Sequence, residues 1–259
     1  MKILVIGAGN MGAWFVESLC LEHDVAVYDT DKQKLRYFFN THRFVSFEQI
    51  SAFEPALVIN AVSLQHTVAA FNDVLPYLPD NCIISDITSV KNNLHEYYLS
   101  SGRRFVSTHP MFGPTFANLK ELSLQSAVII TESDPEGKQF FRDFYASLNL
   151  NIYEYTFEQH DQTIAYSLSI PFTSTMVFAA CMKYQEAPGT TFKKHLAIAE
   201  GLLSENDYLL SEILLSPYTL PQIERIYEKL SELMEMIRQK DTHALHKFVD
   251  ELRKNIAKN

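Results

Sequence analysis

The opening stretch of the chain leaves few folds open. An apolar run at residues 3–6 leads straight into Gly7-Ala8-Gly9-Asn10-Met11-Gly12. An amphipathic segment follows, then a β-rich run at residues 25–28 that ends on Asp29. Strand, glycine turn, helix, strand and acid, in that order, make the first part of a dinucleotide-binding βαβ unit. Each glycine has its own reason. Gly7 makes the tight turn, Gly9 has no side chain to obstruct a pyrophosphate, and Gly12 lets the helix pack close to the strand. Asn10 and Met11 open the helix, whose N–H groups and positive dipole end suit phosphates. Asp29, about 20 residues beyond the glycines, is placed to bind ribose hydroxyls and repel a 2′-phosphate. The expected cofactor is therefore NAD, although Lys32 and Arg36 nearby would suit NADP.

The same alternation continues. Short β-rich runs at residues 2–6, 25–28, 57–61, 82–85, 105–108, 127–130 and 152–155 are separated by helical stretches such as 11–22 and 140–148. Several runs are apolar throughout, as in strands covered on both faces. They predict an α/β architecture with a doubly wound (Rossmann) parallel sheet. From about Phe157 the strand-like runs stop and a 3.6-residue period takes over. Ile223, Ile226, Leu230, Leu233, Met234 and Ile237 fall on one helical face. Pro171, Pro188, Pro217 and Pro221 read as kinks or boundaries. The expected division is a dinucleotide-binding domain over 1–156 and an all-helical domain over 157–259. The helical domain would carry substrate contacts, and its apolar stripes would suit a bundle or a homodimer.

Several function classes are disfavoured. A formal net charge of −9 opposes a nucleic-acid partner at long range. No run approaches about 18 consecutive apolar residues, so no membrane-spanning helix is expected. The run at 3–6 is too short for a signal-peptide core and lacks a cleavage site. Cys20, Cys82 and Cys181 lie far apart without a CxxC pair and read as reduced core thiols of a cytoplasmic protein. No metal-ligand spacing is visible, and His243 with His246 reads as a solvated helix face, so no metal is expected.

Two further segments stand just past strands, on the side where doubly wound sheets bind ligands. One is Ser85-Asp86-Ile87-Thr88-Ser89-Val90-Lys91. The other is Ser107-Thr108-His109-Pro110-Met111-Phe112-Gly113-Pro114. His109 precedes a proline, which biases its backbone to an extended conformation. A histidine held at a strand end can act as a general base or hydrogen-bond acceptor, or simply make a structural hydrogen bond.

With these segments in view, the chain resembles the prephenate dehydrogenase family of tyrosine biosynthesis. GAGNMG at 7–12, SVK at 89–91, HPMFGP at 109–114 and HD at 160–161 carry the resemblance, in matching order over essentially the whole chain. HPMFGP with its downstream HD is the specific part. The resemblance implies NAD-dependent oxidative decarboxylation of the small molecule prephenate to 4-hydroxyphenylpyruvate. A hydride leaves the ring carbon that bears the 4-hydroxyl, the hydroxyl loses its proton, and the ring carboxylate departs as carbon dioxide. It implies that His109, uncharged, accepts the hydroxyl's hydrogen bond, and that Ser89 bonds both the hydroxyl and His109. Lys91 either holds its segment or is solvated. His160 and Asp161 are as readily structural as catalytic.

The sequence also departs from the family. Many members carry S-H-L-P-H after the HD pair; here the stretch is Leu168-Ser169-Ile170-Pro171-Phe172, with neither histidine. The later stretch Phe192-Lys193-Lys194-His195-Leu196, and on to Leu203, lacks the arginines that grip substrate carboxylates. Lys193 and Lys194 are the local candidates for that task, without arginine's bidentate fork, or are plain surface charges. With the motif starting at residue 7, neither a preceding chorismate mutase segment nor a tyrosine-sensing extension is expected. Other readings stay open. They are an arogenate dehydrogenase, a 3-hydroxyacid dehydrogenase or pyrroline-carboxylate reductase using Lys183, Lys193 or Lys194, and a dinucleotide sensor without chemistry.

Overall fold

The computed structural model describes residues 1–112 and 122–257. Gly113 and Pro114 of the HPMFGP segment lie outside them. The chain divides into two compact units, Met1–Thr163 and Ile164–Asn259.

The first unit is built on an eight-stranded sheet. Its strands are β1 (Lys2–Ile6), β2 (Asp24–Tyr28), β3 (His42–Phe44), β4 (Leu57–Asn60), β5 (Ile83–Asp86), β6 (Phe105–Pro110), β7 (Ser126–Ile130) and β8 (Asn151–Tyr155). They lie in the order β3-β2-β1-β4-β5-β6-β7-β8. All neighbours are parallel except β6 and β7. The period-2 alternation of strands sends successive residues to opposite faces. Ile3 and Val5 of β1 join one core with Phe15, Val16 and Leu19 of α1 (Asn10–Leu19). Leu4 and Ile6 join the other core. Two short helices follow, α2 (Lys32–Leu35) and α3 (Phe47–Phe53), then α4 (Thr67–Val74), α5 (Leu94–Ser101) and α6 (Pro135–Ser147). α1 and α6 cover the first face; α3, α4 and α5 cover the second.

The predicted runs correspond to seven of the strands, with ends shifted by a residue or two. β3 has no counterpart in the sequence reading. It is three residues long at the sheet edge, and of these Phe44 alone is buried, so no apolar run marks it. β6 continues two residues past the expected end because antiparallel β7 pairs with Thr108, His109 and Pro110.

The helix α7 (Phe157–Cys181) starts in the first unit and continues into the second, which holds α8 (Thr190–Leu203), α9 (Asp207–Leu214), α10 (Thr219–Gln239) and α11 (Thr242–Ile256). Pro171 lies inside α7 without ending it. Pro221 falls in the first turn of α10, where a missing N–H costs no helical hydrogen bond. By length and composition alone α7 is apolar enough to span a membrane, with mean hydropathy 1.4 over its richest window, although polar residues interrupt it throughout. Its buried Ser169 hydroxyl is bonded to the buried Thr219 hydroxyl of α10 at 2.8 Å, which ties the helix into the helical unit. The cysteine reading also needs correction: Cys82 is buried, Cys20 is half-buried, and Cys181 is exposed at the end of α7.

Candidate active site

The carboxyl ends of β1, β2 and β4 border a cavity of about 560 Å³, whose lining includes Gly7, Gly9, Asp29, Lys34 and Val62. Gly7 has φ +96°, and a Cβ there would stand 2.9 Å from the backbone of Ala61 and Val62. At Gly12 a Cβ would fall 1.8 Å from the Gly7 carbonyl oxygen. A side chain at Gly7 would collide with the chain leaving β4, and one at Gly12 would force α1 away from the end of β1. Gly9 differs: a Cβ there would meet nothing within 4 Å. It caps α1 without a side-chain hydrogen bond, so the first N–H groups of the helix are left for a ligand. Asn10 is exposed and Met11 half-buried at the start of α1, and neither lines the cavity.

Asp29 follows β2. One carboxylate oxygen accepts the Ala8 N–H at 2.7 Å and the other accepts the Asp31 N–H at 2.8 Å. The acid therefore ties the second strand to the glycine turn. Each oxygen keeps a further lone pair, which fits the donor hydroxyls of a ribose. Lys34, not Lys32 or Arg36, is the cation beside it, at 3.9 Å.

The ends of β5 and β6 carry a second, buried polar assembly. Asp86 accepts from the Lys91 Nζ at 2.6 Å, the Tyr98 hydroxyl at 2.7 Å, and the Thr88 N–H and hydroxyl at 3.0 and 2.8 Å. Lys91 Nζ also donates to the Thr108 carbonyl at 2.8 Å. Asp86 and Lys91 are both wholly buried. Burial alone would raise the Asp86 pKa, but the Lys91 charge and the hydrogen bonds outweigh it and hold the carboxyl below its usual range. Lys91 is thus the fastening of its loop, and it is not solvated.

His109, 8% exposed, sits on β6 opposite Val128. Its Nδ1 lies 3.0 Å from Nε2 of the fully buried His160. His160 Nδ1 lies 2.9 Å from Asp161 Oδ1, the oxygen that also accepts the Lys91 N–H at 3.3 Å. Burial, then repulsion from His160 and Lys91, pushes the His109 pKa well below the ordinary histidine value. His160 is lowered as well, by burial, against the opposing pull of Asp161. Both shifts favour the uncharged imidazole. Ser89 is half-buried in the loop after β5. Among the described residues no hydrogen bond joins it to His109; the partner found there is His160. Lys193 and Lys194 are exposed on α8 of the helical unit.

A sequence profile for the nucleotide-binding domain of prephenate dehydrogenase matches residues 16–151, just over half of the chain. The chain belongs to the prephenate dehydrogenase family. A probable arogenate/prephenate dehydrogenase from Methanocaldococcus jannaschii is 24% identical over 97% of this chain and 60% of its own length. The T-protein of Enterobacter agglomerans is 24% identical over 93% of this chain and 64% of its own. The chain thus spans less than two thirds of these curated relatives. A crystal structure of prephenate dehydrogenase from A. aeolicus, in complex with hydroxyphenyl propionate and NAD+, superposes with a TM-score of 0.85. It is 17% identical and is covered over 98% of its length by all of this chain.

The family profile begins after the glycine motif, so the reading of Gly7, Gly9 and Gly12 stands on their geometry. The sequence reading singled out His109 but not Asp86, Tyr98 or the role of His160. A buried Asp–Lys pair five residues apart, at the end of an apolar strand, was the available signal for Asp86. His160 stood out only through the HD motif, and its pairing with His109, 51 residues away, had no local signal.

Proposed function

We propose that this family member is an NAD-dependent dehydrogenase that oxidatively decarboxylates prephenate to 4-hydroxyphenylpyruvate. One observation carries the reading: His109 is a buried imidazole at the carboxyl edge of the sheet, the edge that also bears the glycine turn. NAD, when bound, supplies the hydride acceptor. Gly7, Gly9 and Asp29 would hold it, with Asn10, Met11 and Gly12 shaping the start of α1. The acid at the ribose position favours NAD over NADP.

His109 has Nδ1 engaged by His160, so Nε2 is the nitrogen left to meet the substrate. It accepts the hydrogen bond of the 4-hydroxyl and draws on that proton as the carbon is oxidised. Ser89 holds the same hydroxyl and fixes its direction. Loss of the ring carboxylate restores aromaticity, so the residues mainly orient the ring and keep water out. Lys193 and Lys194 are the candidates for the substrate carboxylates, as unforked point charges. The exposed Leu230, Met234 and Ile237 stripe of α10 is covered by a second copy in a homodimer.

The test is spectrophotometric. Purified protein with NAD and prephenate should form reduced cofactor, and His109→Asn should abolish the signal. A response to arogenate alone would move the substrate to the amino counterpart. Silence toward both, with NAD bound, would leave a dinucleotide sensor and refute the proposal. A monomer in light scattering would remove the dimer.

A further inference from the structure

We propose that His160, backed by Asp161, is a positioning residue that fixes which ring nitrogen of His109 carries hydrogen. The inference rests on the reading of His109 as the acceptor for the substrate hydroxyl, and it adds a residue that this reading does not need.

The direction of the hydrogen bonds follows from one end of the chain. A carboxylate has no hydrogen to give, so at the 2.9 Å contact His160 Nδ1 must donate to Asp161 Oδ1. His160 is fully buried, which favours the uncharged ring, and with Nδ1 donating its Nε2 then bears a lone pair. That lone pair faces His109 Nδ1 at 3.0 Å. Two lone pairs would repel at this distance, and the contact is favourable only if His109 Nδ1 carries the hydrogen. The consequence falls on the far side of the ring. His109 Nε2 is left as a pure acceptor, the form that an alcohol O–H requires. The opposite tautomer would present an N–H to the hydroxyl and lose the bond to His160.

The anchor of this chain is itself held. Asp161 Oδ1 accepts the backbone N–H of Lys91 at 3.3 Å, and Lys91 is fastened by Asp86 and the Thr108 carbonyl. Thr108 directly precedes His109 on β6. The loop after β5, the strand with His109 and the first turn of α7 therefore share one hydrogen-bonded set. A neutral imidazole without such a partner populates both tautomers, and a buried polar contact of fixed direction removes that freedom.

The experiment is long-range ¹H–¹⁵N correlation of the histidine rings in the full-length protein, with His109 assigned from its missing signals in His109→Asn. The wild type should show His109 with hydrogen on Nδ1 and an unprotonated Nε2. His160→Leu removes the acceptor and should yield mixed or Nε2–H tautomers. Its kcat with prephenate should fall on the order of 10²-fold, the lower end of a held general base's contribution, at little change in KM. His160→Gln places a carbonyl oxygen where Nε2 stood and should recover the tautomer and most of kcat. An Nε2–H tautomer in the wild type, an unchanged Nδ1–H form in His160→Leu, or an unchanged kcat in that variant overturns the proposal. The ring spectra need no substrate. A fixed tautomer in a protein that turns over neither prephenate nor arogenate would therefore count against the proposed function, while the tautomer assignment stands.

Discussion

The glycine turn and the histidine cluster sit on the same edge of one sheet, yet opposite physical demands build them. At the turn the requirement is space: Gly7 and Gly12 are where side chains cannot stand, and Gly9 is where none obstructs. Its main polar tie, from Ala8 to Asp29, joins residues 21 apart within one βαβ unit. In the cluster the requirement is that every buried polar atom find a partner. Beside its local bonds, two of its ties join residues 51 and 70 apart, from different elements. A site defined by missing atoms is set locally, whereas a site defined by satisfied polar atoms depends on the whole sheet.

The largest expected effect tests the cluster's chemistry. His109→Asn should lower kcat by roughly 10²- to 10⁴-fold, the span of general acid–base contributions. NAD affinity, followed by fluorescence, should hardly move, because His109 does not line the cofactor cavity. Loss of both together would mean that the two regions are not separable. Lys91→Met should cost about 3–5 kcal/mol in urea unfolding, since it strands Asp86 as a buried charge without its counter-ion. A cost under about 1 kcal/mol would show Asp86 to be protonated or solvated. At the turn, Gly12→Ala should cost about 1–3 kcal/mol through overpacking against the Gly7 carbonyl. Gly9→Ala, facing open space, should leave stability within about 0.5 kcal/mol and weaken NAD. If the two alanines behave alike, the steric distinction between these glycines is wrong.

The smallest effect is graded with pH. His109 and His160 both have lowered folded pKa values, burial being the main cause. Below about 6.5, the unfolded histidine value, the unfolded chain takes up protons that the native state refuses. Stability from this source is therefore complete above that pH. It is lost as pH falls below it, at up to about 1.4 kcal/mol per pH unit for each histidine. Replacing His160 by Gln should flatten the slope. A midpoint of thermal unfolding that stays level from pH 7 to 5 would contradict the burial of the pair.

This contrast explains what could be read from the residues alone. The apolar runs of β1, β4 and β7, the glycine turn and Asp29 are local patterns, and each was visible. So was His109, through its neighbour Pro110 and its place after a strand. β3 escaped because three residues with one buried side chain make no pattern. The fastening of Lys91 escaped because its partners, Asp86 and the Thr108 carbonyl, meet it only once two strands are paired. Pro171 is legible as a kink or a boundary, and the helix continues through it. Cys181 stands in an apolar sequence yet is exposed, since α7 places it on an uncovered face. Neighbours in sequence do not tell which face a helix covers.

The change of partners along β6 has a last consequence. Residues 105–107 pair with parallel β5, and residues 108–110 pair with antiparallel β7. The His109 backbone is thus held in a ladder rather than carried on a loop, and its Cα cannot shift without unzipping a strand from the sheet. Under the proposed function, evolution acting on such a scaffold inherits a base on a fixed strand. Descendants that come to favour one cyclohexadienyl compound over another would then vary whatever lies opposite it, and keep the bond-breaking end unchanged.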